Sequence, residues 1–300
     1  MVVMLSPRRR SSVLRRIAGD RRGSRRRIGQ ALVLLLVLAA GMVVAVFALA
    51  AVDVFLRPGS DAVANEQLTL GDEREINAYI ARPPVNDQNV NGEPAVIMFH
   101  EWWGLNGAMA ELAEILSLDG YTVIVPDLYA GRAASTVPGA LALRLSANME
   151  RVTADAVSVA ESVERIEEVD PQRIATVGFC FGGDVAMKLA LARPEIPRAT
   201  VLLYGGTESD SERLAALQGE GPILGIFGAE DRQISLERVH EFESALIDAR
   251  VNHRISIYPG VGHAFVQPDS IVDEDAAIQA WAELRGFLDS NVRPAGLARP

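Results

Sequence analysis

One cysteine occurs in the 300-residue chain, and its neighbours give it a chemical context: Gly178-Phe179-Cys180-Phe181-Gly182-Gly183. The apolar run 174–177 precedes this hexapeptide and a helical pattern from Asp184 follows it. Strand, sharp turn and helix in that order define a nucleophile elbow, with cysteine where serine usually stands. Gly178, Gly182 and Gly183 suit a turn whose backbone is strained and whose flanks close on neighbouring elements. A thiol at a helix N-terminus is expected to be biased toward thiolate. A nucleophile needs a base and an acid that orients the base, following it along the chain in the order acid, histidine. His263, in Gly260-Val261-Gly262-His263-Ala264-Phe265, lies just past the strand-like run 254–258. Asp231 lies just past the run 223–227, and its neighbour Glu230 competes with it for the role of orienting acid.

The segment His100-Glu101-Trp102-Trp103-Gly104-Leu105-Asn106 follows the run 95–99. That is where an elbow architecture supplies its second oxyanion donor, so the N–H groups of Phe181 and Trp102 are expected to form the hole, with Glu101 able to face the thiol. Aromatic packing beneath a loop competes with ligand contact as the role of Trp102 and Trp103. His100-Glu101 has no second histidine at helical spacing, and no phosphate-cradling glycine loop follows a strand. Neither a metal nor a cofactor is therefore expected.

These groups need elements to hold them. Apolar runs at 95–99, 122–125, 174–177, 199–203, 223–227 and 254–258 fit strands buried on both faces. Helical spacing fills the gaps at 109–118, about 141–169, 184–192, 236–249 and 276–288. This alternation predicts an α/β fold, a mostly parallel sheet flanked by helices on both faces, with its site at the carboxyl ends of the strands. A hairpin is expected from 67–70 and 76–82, followed by a polar loop over 86–93.

The amino-terminal region is of another kind. Residues 1–27 hold ten arginines against Asp20, a local charge of +9, leaving −19 for the remainder of a chain whose total is −10. From 28 to 52 no charge appears, long enough to cross the ~30 Å bilayer core as a helix. The arginine asymmetry puts the N-terminus in the cytoplasm and all that follows Asp53 outside. The domain reading is a basic arm (1–27), a transmembrane helix or signal anchor (28–53), a linker (54–65), an α/β domain (66–292) and a tail (293–300). Ala48-Leu49-Ala50 offers a cleavage site, so secretion after processing near Ala50 is the alternative to anchoring. Residues 24–28 also resemble a twin-arginine export signal. The acidic remainder argues against nucleic acid as a partner. No feature of the sequence specifies an oligomeric state.

Taken together, the 100–106 loop, Pro126-Asp127-Leu128-Tyr129, the 178–183 elbow, Asp231 and 262–265 resemble the dienelactone hydrolase family, over roughly 66–290. The resemblance implies an α/β-hydrolase fold and a Cys180, Asp231, His263 triad that opens a small-molecule lactone or ester without metal. It further implies that Glu101 takes the thiol proton when substrate arrives, so that the cysteine rests neutral until then. Members acting on dienelactone carry a carboxylate-binding arginine four residues past the histidine, where this chain has Gln267; Arg132 or Arg144 matches the family's second such arginine. A thioesterase or acyltransferase would use the same triad, and a hydrolase-like binding module is the alternative outside enzymes.

Overall fold

The computed structural model describes residues 7–56, 59–84 and 92–293, with side chains from residue 30 onward. The chain divides into two compact units, Met1–Ala51 and Val52–Pro300. The described residues of the first belong to one long helix, α1 (Pro7–Leu56), whose most apolar window has a mean hydropathy of 3.1. By length and composition α1 is able to cross a membrane. The residues expected as a linker are largely ordered: α1 runs to Leu56 and a 3-10 turn covers Ser60–Ala62. There the buried Ser60 hydroxyl donates to Asp127 Oδ2 at 2.6 Å. The tail beyond 293 and most of the polar loop, residues 85–91, lie outside the described residues.

In the second unit the elements run β1 (Glu66–Thr69), β2 (Glu75–Ala81), β3 (Glu93–Phe99), α2 (Gly107–Ser117), β4 (Thr122–Pro126), α3 (Val137–Ser146), α4 (Met149–Val163) and β5 (Val169–Phe179). Then follow α5 (Phe181–Ala192), β6 (Ala199–Leu203), α6 (Ser211–Leu214), β7 (Ile223–Gly228), α7 (Leu236–Asp248), β8 (His253–Tyr258), α8 (Ser270–Asp273) and α9 (Asp275–Val292). The eight strands form one sheet in the order β1-β2-β4-β3-β5-β6-β7-β8. The six from β4 to β8 are parallel, and the β1–β2 hairpin is added antiparallel at one edge.

Successive β3 side chains show why these strands read as unbroken apolar runs. Ala95, Ile97 and Phe99 enter the core beneath α4, α5 and α7, while Val96 and Met98 enter the core beneath α2 and α9. With helices on both faces, neither side of the pleat meets water. The single helix expected over 141–169 is instead two helices and the start of a strand. Ala147 is extended (ψ 120°), and Asn148 Oδ1 accepts the N–H groups of Glu150 and Arg151 at 3.0 and 3.1 Å, capping a new helix. β3 lies between β4 and β5, at the reversal of strand order, where parallel sheets open a crevice at their carboxyl ends.

Candidate active site

Cys180 sits between β5 and α5 with φ +51° and ψ −112°, a conformation that L-residues rarely adopt. The surrounding main chain imposes it. The Cys180 N–H donates to Leu203 O on β6 at 2.9 Å, and its carbonyl accepts from Gly183 N–H at 2.9 Å. A Cβ on Gly178 would lie 2.1 Å from Gly182 O, and one on Gly182 would lie 2.1 Å from Phe99 O. The turn is closed by backbone against backbone, with Gly183 backing onto Gly205 in the same way.

Three strand ends converge on the sulfur. His263 Nε2 is 3.0 Å from Cys180 Sγ, and His263 Nδ1 is 2.7 Å from Asp231 Oδ2. Asp231 Oδ1 accepts the N–H groups of Gln233 and Ile234 at 2.7 and 3.0 Å, which fixes the carboxylate while its other oxygen meets the imidazole. The loops after β7 and β8 are tied together by Ala229 N–H to Tyr258 O (2.8 Å) and Glu230 N–H to Val261 O (2.9 Å). In that register Asp231 is buried and faces His263, whereas Glu230 is exposed. The backbone N–H groups of Phe181 and Trp102 both point at the sulfur.

Burial pushes the Cys180 thiol up to about 12, and the nearby Glu101 carboxylate adds to the rise, while the Phe181 and Trp102 N–H groups oppose it. The bias toward thiolate expected of a helix N-terminus is outweighed here by loss of solvent and a facing carboxylate. Glu101 is itself only 6% exposed, and burial raises its carboxyl to about 7 against hydrogen bonds that favour its charge. Those bonds come from the Tyr204 hydroxyl and from Gln267 Nε2, 3.2 Å from Oε1.

Tyr204 is the residue that sequence reasoning passed over. It follows β6 directly, is fully buried with φ +41°, and sets its ring edge-on to His263 at 5.2 Å. The available signal was a tyrosine ahead of Gly205-Gly206 at a strand's carboxyl end. His100 is buried and supports the loop. Its Nδ1–H donates to Glu101 O (2.7 Å) and its Nε2 accepts Leu128 N–H (3.2 Å), a neutral ring that burial keeps from protonating. Trp102 and Trp103 meet edge to face at 5.2 Å, so the rings pack on each other while the Trp102 N–H is directed at the Cys180 sulfur.

The two arginines separate. Arg144 lies with its guanidinium 5.2 Å over the Phe181 ring and 3.7 Å from Asp184, beside the elbow. Arg132 donates to Tyr129 O at 3.1 Å and lines a different cavity of about 580 Å³ with Asp61, Arg74 and Asp155, which does not reach Cys180. Among the described residues no group of three or more His, Cys, Asp or Glu side chains is placed to hold a metal ion.

Residues 76–291 match the profile of the dienelactone hydrolase family. A protein of Aquifex aeolicus provisionally named carboxymethylenebutenolidase is 28% identical over 230 residues, covering 73% of this chain and 95% of its own length. One of the same name from Escherichia coli K12 is 31% identical over 200 residues, covering 63% and 72%. The crystal structure of a provisionally assigned dienelactone hydrolase from Klebsiella pneumoniae superposes with a TM-score of 0.65 at 26% identity, over 74% of this chain and 97% of that one. Fold, profile and relatives agree: the chain belongs to the dienelactone hydrolase family, hydrolases of ester and lactone bonds built on the α/β-hydrolase fold.

Proposed function

We propose that the protein is a membrane-anchored hydrolase in which Cys180 forms an acyl-enzyme with an ester or lactone. The observation that carries this reading is the convergence of His263 Nε2 and two backbone N–H groups on one sulfur at a strained elbow. Those N–H groups are positioned to receive the substrate's carbonyl oxygen, and one such donor is typically worth about 2.7–4 kcal/mol in the transition state. The thiol proton passes to His263 Nε2 as sulfur attacks the carbonyl carbon, and the imidazolium is stabilised by Asp231. Collapse breaks the C–O bond, and the departing alkoxide takes the proton from Nε2. A water then gives its proton to Nε2 and attacks the thioester, and the expelled sulfur recovers that proton.

Glu101 governs the first step. As a carboxylate its charge opposes a thiolate, so a proton already resident on Glu101 removes that opposition while the thiol's own proton goes to His263 Nε2. At rest burial and the Glu101 charge hold the thiol at about 12, well above the carboxyl at about 7. The cysteine therefore stays neutral until a bound carbonyl draws the charge onto the oxyanion donors. Anchoring is supported by α1, where Leu36, Met42 and Phe47 are exposed within an uncharged run.

Rapid mixing of the reduced protein with a chromogenic short-chain ester, followed by intact mass measurement, tests the mechanism. A burst with one acyl group on wild-type protein and none on Cys180→Ala is expected. Undiminished turnover by a folded Cys180→Ala variant would refute it. Offering alcohols and thiols beside water separates hydrolysis from acyl transfer.

A further inference from the structure

α3 has two unlike sides. Toward the interior, Ala140 and Leu143 are buried, and Arg144 lies over the ring of Phe181, the residue next to the nucleophile. On another face Val137, Leu141 and Leu145, spaced four apart and hence aligned, are 58%, 46% and 77% exposed. A helix on a soluble surface usually places polar groups in such a row.

The entry to this helix is fastened to Asp53. That buried carboxylate accepts the N–H and hydroxyl groups of both Ser135 and Thr136 at 2.6–3.2 Å. Asp53 is also the first charged residue after the uncharged stretch 28–52, and the exposed apolar side chains Phe55 and Leu56 follow it. If the span ends at Asp53, as the anchored reading above requires, the helix bonded to Asp53 starts at headgroup level.

We infer that Val137, Leu141 and Leu145 dip into the lipid surface and that α3 opens the Cys180 site toward the bilayer. The substrates are then esters or lactones whose apolar chains dissolve in the membrane. Three side chains offer far less than the ~800 Å² per partner of a stable protein interface, whereas an apolar row on a helix whose entry is bonded to Asp53 is sufficient for lipid contact. This inference rests on the anchored hydrolase reading.

The test uses the full chain in phosphatidylcholine vesicles. A photoreactive phenylalanine analogue at Leu145 is expected to yield a lipid adduct by mass, and the same group at exposed Glu237 on α7 none. The double variant Leu141→Gln, Leu145→Gln is expected to keep its rate on a water-soluble short-chain ester within about twofold, and to lose on the order of tenfold on a long-chain ester dissolved in the vesicles. If the protein resists carbonate extraction and cleaves the soluble ester, but gives no adduct or loses both rates equally, the inference fails and the parent reading stands. A cross-link to a second copy would likewise overturn it, marking the row as a self-association face. Release by carbonate, or no turnover of either ester, would refute the parent reading and this one together.

Discussion

Glu101→Gln isolates one buried charge without changing shape. The amide keeps an oxygen for Gln267 Nε2 and the Tyr204 hydroxyl, and removes only the ionisation. In the folded protein burial lifts the Glu101 carboxyl from the ordinary 4.5 to about 7. A raised carboxyl favours the fold fully below the unfolded value, and that advantage is lost as pH climbs through the folded value. The difference of about 2.5 units corresponds to roughly 3 kcal/mol that the wild type forfeits above pH 7 and the glutamine variant does not. Urea unfolding of wild type and variant in the same detergent, at intervals from pH 4 to 8, reads this directly. The two are expected to coincide near pH 4, to diverge between about 4.5 and 7, and to run parallel above, with the variant about 3 kcal/mol more stable. The thiol is expected to titrate lower in the variant, because the carboxylate that opposes it is gone. A pH-independent difference, or a variant less stable at pH 8, would show that Glu101 is not a desolvated carboxyl and would remove the basis for its activating role.

Asp231→Asn is expected to lower kcat on the order of 10³–10⁴-fold, since an amide at 2.7 Å from Nδ1 no longer stabilises the imidazolium or secures its tautomer; the circular dichroism spectrum should not change. Gly182→Ala places a methyl 2.1 Å from Phe99 O, so a loss of about 3 kcal/mol or more in denaturant is expected, together with lower kcat from a displaced Trp102 donor. A melt and rate matching wild type would show that the elbow has room.

How much of this was legible from the chain depends on range. The elbow was, because strand, glycines, cysteine and helix are contiguous and each constrains its neighbour. His263 and Asp231 were legible from their places after apolar runs, but the choice between Asp231 and Glu230 needed the pairing of the β7 and β8 loops, which buries one and exposes the other. The merged 141–169 helix shows the opposite limit. Two consecutive helices can share one apolar period, and only the capping side chain of Asn148 marks the break. Tyr204 reads as the end of a core strand until folding brings β6 beside the 100–106 loop. The balance of forces on Cys180 shows a related limit: a helix terminus is visible in sequence, whereas the depth of burial that outweighs it is a property of the assembled site.

The elbow also bears on how such an enzyme changes over generations. Its demanding parts, the two converging N–H groups, the left-handed turn and the glycine contacts, are all main chain. None of them depends on what side chain residue 180 carries. A serine codon in place of the cysteine codon would inherit the same cradle, and one nucleotide can make that exchange. Exchanging sulfur for oxygen at residue 180 would thus leave the turn as it is, and what the exchange would alter is the relation to neighbouring side chains, Glu101 first among them.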